Sequence, residues 1–113
     1  MQLPEEGYLL RIFIGETERH DGKLLYEWIV TQAHTRGLAG ATVLRGLMGF
    51  GADSRLIQSF KIEHLSSDLP LVIEIVDTKE KLDAFLASIE SAIPAGLVTM
   101  EKVQVRLYRS GGK

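Results

Sequence analysis

Residues 69–89 read "LPLVIEIVDTKEKLDAFLASI", and the change of period inside this stretch decides the fold. Leu71 to Val76 follows Pro70 directly and is aliphatic except for Glu74, a density that suits a central strand with both faces largely covered. At Asp77 the pattern turns helical. Asp77 to Glu80 has the Asp-x-x-Glu form of a capping box. Leu82, Phe85, Leu86, Ile89, Ala92 and Ile93 then recur as a single apolar stripe until Pro94 and Gly96 end it. A return strand follows over Val98 to Tyr108, with Val103, Val105 and Leu107 on one face and Gln104, Arg106 and Tyr108 on the other.

Towards the N-terminus, "YLLRIFI" (Tyr8 to Ile14) is a strand bounded by Gly7 and Gly15. After the polar loop "GETERHDG", Asp21 caps an amphipathic helix of about four turns. Leu25, Ile29 and Ala33 form its apolar face, Trp28 packs beside them, and Gly37 ends it. A second strand starts near Gly40, and the alternation in "LIQSFKIEH" (Leu56 to His64) reads as a third. The order is β-α-β-β-α-β with one short extra segment, and right-handed crossovers make it an α+β ferredoxin-like sandwich: an antiparallel sheet with both helices on one face. The chain fits a single domain, 1–113, with 1–6 and 110–113 as flexible ends. The helices cover one sheet face, yet Leu9, Phe13, Val72 and Val76 make the other apolar as well, so an oligomer is expected.

Thirteen basic and fifteen acidic residues leave a formal charge of -2, which gives no general attraction for nucleic acid or an anionic membrane. The absence of cysteine excludes disulfides, thiolate metal sites and cysteine nucleophiles. With no signal-like N-terminus and no apolar run long enough to span a bilayer, a cytoplasmic location is expected. Glu16, Glu18, His20 and Asp21 cluster in one loop. A single histidine among carboxylates falls short of a closed zinc ligand set, so the segment reads as an ordinary polar connection. No nucleophile motif supports an enzyme.

The segment "GATVLRGLMGFGADSR" (Gly40 to Arg55) raises a separate question, because a good strand breaks into glycines at Gly46, Gly49 and Gly51. Glycine allows the backbone to approach a ligand closely, so either a plain structural turn or a phosphate-facing loop satisfies this pattern. It is neither a dinucleotide fingerprint nor a P-loop. Arg45, Arg55, Lys23 and Arg106 are the cations available to meet phosphate, while Arg11 and Arg106, in strands with mixed faces, are as well suited to pairing with Glu74 across the sheet as to binding a ligand.

This segment, with "LPLVIEIVDTKEKLDAFLASI", "EKVQVRLYRSGG" and "RIFIGE", resembles the PII signalling family over most of the chain, and in particular the PII-like branch long classed as a domain of unknown function. The resemblance implies a homotrimer with nucleotide sites in the clefts between subunits. It also implies signalling to a partner protein, a membrane transporter or channel in the wider family, through the loop 46–55. Carried over by position, Thr42 lies beside the adenosine, Gly49, Phe50 and Gly51 form the close-approach turn, and Phe13 and Ile14 lie near the base. Arg106 and Arg109 lie in the region where the family uses C-terminal arginines on phosphates, while Arg45 and Arg55 are further cations of this chain that could meet phosphate, and Glu16 and Lys23, in the loop after the first strand, rim the same end of the sheet. The effector implied is an adenine nucleotide: AMP, ADP or ATP. Two departures matter. Thr42 and Gly49 are one residue further apart than is usual in the family, so a bulge near Gly46 is expected, and "IPAGLVTMEK" replaces the family's glycine- and lysine-rich phosphate loop. The alternative reading is a structural trimer similar to the metal-tolerance proteins of the same fold, without nucleotide.

Overall fold

The computed structural model describes residues 5–51, 57–58 and 69–111. Strand β1 is Glu6–Gly15, and the short strands β2 (Arg19–His20) and β3 (Lys23–Leu24) that follow form a hairpin. Strand β4 is Thr42–Arg45, and β5 (Met48–Gly49) pairs with β6 (Ile57–Gln58) in a second small ribbon. Strand β7 is Pro70–Asp77 and β8 is Leu97–Gln104. The principal sheet has four antiparallel strands in the order β4-β7-β1-β8. Helices α1 (Leu25–Thr35) and α2 (Lys79–Ile89) complete the α+β ferredoxin-like sandwich.

The core lies between the sheet and the helices, where strand alternation delivers Leu10, Ile12 and Ile14 from β1 and Leu71, Ile73 and Ile75 from β7. Leu25, Ile29 and Ala33 of α1 meet them, as do Leu82, Phe85 and Ile89 of α2; these are the apolar stripes legible in the sequence. The stretch 71–76 does form a central strand, but only one of its faces is fully covered within the chain: its buried residues alternate with half-buried ones.

Both expected helix caps are corrected. Asp21 has φ 51° and Gly22 φ 77°, so "DG" turns the β2–β3 hairpin, and α1 begins three residues later than a helix capped at Asp21 would, after Leu24. At α2 the cap is Thr78, whose hydroxyl accepts from Lys81 N at 3.2 Å. Asp77 instead ends β7 fully buried and accepts from Ala39 N (2.9 Å) and Thr78 N (2.7 Å), which ties the segment entering β4 to the start of α2. The C-terminal strand is shorter than expected, stopping at Gln104 rather than Tyr108. Of the expected third strand, Ile57–Gln58 is described, in the small ribbon and outside the main sheet; its remaining residues lie outside the described ones. Among the described residues no helix is long and apolar enough to cross a membrane.

Candidate functional site

Edge strand β4 and central strand β1 finish at the same end of the sheet. Arg45 pairs with Leu71, and Gly15 pairs with Pro70. The chain then enters the glycine turn, where Gly46 N donates to Pro70 O at 2.7 Å. A Cβ on Gly46 would sit 2.9 Å from the Pro70 ring, so packing inside the chain already requires this glycine. Gly49 lies in the β5–β6 ribbon. At Gly51 a Cβ would meet nothing within 4 Å among the described residues, so no contact described here accounts for a glycine at this position.

The turn has an ionic and an apolar side. On the ionic side Arg45 Nη1 donates to Glu16 Oε2 at 2.8 Å, with side chains 60% and 27% exposed, and Glu16 N donates to Leu69 O at 2.8 Å. On the apolar side Leu44, Val72, Phe13 and Leu97 form one cross-strand row on the sheet face away from the helices. Leu47 and Phe50, within the turn, are 81% and 71% exposed. Phe13 and Ile14 separate, because consecutive strand residues face opposite ways: Phe13 is half-buried on the open face, whereas Ile14 is buried among the core residues.

The remaining candidates are elsewhere. Thr42 and Arg106 line a groove of about 620 Å³ over the other end of β4, together with Leu9, Glu74, Val76 and Tyr108. Tyr108 Oη donates to Ala39 O at 2.7 Å, which holds the C-terminal segment to the residues entering β4. Arg45 lies three residues from Thr42, about 10 Å along the strand, so one subunit divides the expected cluster between two ends of its sheet. Lys23 sits in the β2–β3 hairpin, Arg109 is exposed near the C-terminus, and Arg55 lies outside the described residues.

Between the two ends, Arg11 donates to Glu74 Oε2 (2.9 Å) and Glu101 Oε1 (2.7 Å), a triad that crosses three strands of the open face. The hydrogen bond to Glu74 raises the Arg11 guanidinium above its ordinary value, and Glu101 adds to this against some desolvation. Arg11, rather than Arg106, thus makes the described pair with Glu74. The loop cluster behaves as a polar connection: Glu18 Oε2 accepts from Gly15 N at 2.7 Å, and His20 packs on Trp28 with ring centroids 4.3 Å apart. Among the described residues no group of three or more histidine, cysteine or carboxylate side chains could hold a metal ion.

Sequence reasoning missed two features of this region. The Arg45–Glu16 pair joins residues 29 positions apart, and Pro70 underlies the glycine turn; neither leaves a local pattern in the sequence.

Residues 7–105 match the family DUF190, described as "Uncharacterized ACR". The chain belongs to the DUF190 family. A UPF0166 protein of Aquifex aeolicus (strain VF5) is 43% identical over 97 residues, covering 86% of this chain and 90% of that protein. The fold of this DUF190 chain is also that of CPII, a nitrogen regulatory PII-like protein from Thiomonas intermedia K12 whose structure was solved bound to ADP, AMP and bicarbonate. That likeness has a TM-score of 0.65, 17% identity and 88% coverage of each chain. The divalent cation tolerance protein Cut A1 of Thermus thermophilus shares the fold more loosely, with a TM-score of 0.55, 10% identity and coverage of 91% of this chain and 87% of that one. The PII-like fold expected from the sequence is therefore the fold of the DUF190 chain.

Proposed function

We propose that this DUF190 protein is a PII-like regulatory protein of the cytoplasm, a homotrimer that binds an adenine nucleotide in the clefts between subunits and signals to a partner protein, a membrane transporter or channel, through the loop 46–55. The observation that carries the reading is Gly51, next in sequence to the exposed Phe50 and six residues after Arg45, where a Cβ would meet nothing within 4 Å among the described residues. A missing Cβ that no described contact within the chain requires is accounted for when a ligand's phosphate approaches the backbone there. The CPII structure, with ADP and AMP bound to the same fold, supports an adenine nucleotide as that ligand. Subunit clefts would also reunite what one chain keeps apart, since Arg106 of one subunit would have to meet the glycine turn of another.

Isothermal titration with AMP, ADP, ATP and cyclic AMP tests the reading. One nucleotide per subunit is expected, with binding lost in Gly51→Val while unfolding stability stays within about 0.5 kcal/mol of the parent, because a Cβ at this position meets nothing within 4 Å among the described residues. Failure of all four nucleotides to bind would remove the proposal and favour the second reading, a structural trimer that binds no nucleotide.

A further inference from the structure

We infer that Glu16 is a built-in competitor for the phosphate-binding cation, so that it sets how strongly the site prefers a highly charged nucleotide over a less charged one. The inference rests on the nucleotide-binding reading above and assigns one residue of that site a role in specificity.

The geometry is that of an occupied cation. Arg45 is the guanidinium nearest in sequence to the glycine turn, and its Nη1 is already on the Glu16 carboxylate at 2.8 Å. Arginine binds carboxylate and phosphate through the same planar fork, so a phosphate arriving at Arg45 meets a resident anion of the same shape. The pair is accessible, and an exposed ion pair of this kind is weak enough for a ligand to displace. The backbone of Glu16 is anchored at the turn, because its N–H donates to Leu69 O and the next residue along, Pro70, carries the glycine turn, so its carboxylate remains within side-chain reach of Arg45. Its negative charge therefore stays beside the ligand after displacement. Repulsion from a fixed charge grows with the charge of the ligand, so ATP is penalised more than ADP, ADP more than AMP, and adenosine is unaffected.

The experiment is titration of the trimer with ATP, ADP, AMP and adenosine for the parent, Glu16→Gln and Arg45→Ala, at fixed low salt, with thermal unfolding of each variant as the check on folding. Glu16→Gln keeps the shape and one carbonyl acceptor but removes the charge. It is expected to tighten ATP by roughly fivefold and AMP by less than twofold, with adenosine unchanged. Arg45→Ala is expected to weaken all three phosphorylated ligands and to leave adenosine alone. An unchanged ATP-to-AMP ratio in a folded Glu16→Gln protein whose parent binds nucleotide overturns the role given to Glu16 and leaves the nucleotide reading standing. Weaker binding of adenosine in Glu16→Gln also overturns it, because the carboxylate would then be holding the ribose. A parent that binds none of the four overturns both.

Discussion

Asp77 shows how one side chain can look like a local device and act as a long-range one. Its position before Thr-Lys-Glu suggests a helix cap, but Thr78 takes that role, and the Asp77 carboxylate, with no solvent exposure, is held by backbone N–H groups of Ala39 and Thr78. Lys81 Nζ stands 3.9 Å from it while donating to Gly37 O at 2.9 Å. Two loops 38 residues apart in sequence therefore meet on one carboxylate. Replacing it by alanine leaves two part-buried backbone donors without their acceptor, and Asp77→Ala is expected to lose about 2 kcal/mol of stability, measured by urea unfolding. A similar lesson holds at Gly46 and Gly51. They look equivalent in the sequence, yet Pro70 explains one and nothing described within the chain explains the other.

At the scale of elements, the two helices were legible through their buried faces and misjudged at their starts. The 3.6-residue stripe of α2 survives in the structure because the stripe itself is what packs against β1 and β7. Caps depend on one hydrogen bond, and neighbouring residues compete for it. Thr78→Ala is expected to cost about 1 kcal/mol, read as a lower melting temperature with unchanged far-UV circular dichroism. The "DG" pair at 21–22 was a hairpin signal in the sequence, because an Asp-Gly pair accepts positive φ at both positions. Its flanking strands of two residues each are too short to show alternation, so the local sequence is equally that of a helix cap.

For the whole molecule the deciding feature is the sheet face that the helices leave uncovered. Leu44, Val72, Phe13 and Leu97 form one row across it, the Arg11 triad forms the next, and Leu9 pairs with Val76 beyond. In the proposed trimer this face would be the one buried between subunits, with the ion triad giving the contact direction and the apolar rows giving it area. Val72→Asp places a charge in the apolar row without touching the helix-side core. Sedimentation is expected to show the trimer replaced by monomer, with the helical signal retained; a Val72→Asp protein that remains trimeric would place the interface elsewhere.

What the sequence determined by itself was periodic: the strand over 71–76, the stripes of α1 and α2, the order of the four principal strands and two helices, and the apolar character of both sheet faces. These follow from repeating residue patterns whose physical cause, burial of one face, acts along a continuous stretch of chain. The tertiary structure alone decided where Asp77 would be used, that Ile14 belongs to the core, that Arg45 is paired with Glu16, and that Arg45 and Arg106 lie at different ends of β4 in one subunit. Each of those facts is a meeting between residues distant in the chain. No local pattern records such a meeting, because the partner is chosen by the packing of the sheet and not by its neighbours in sequence.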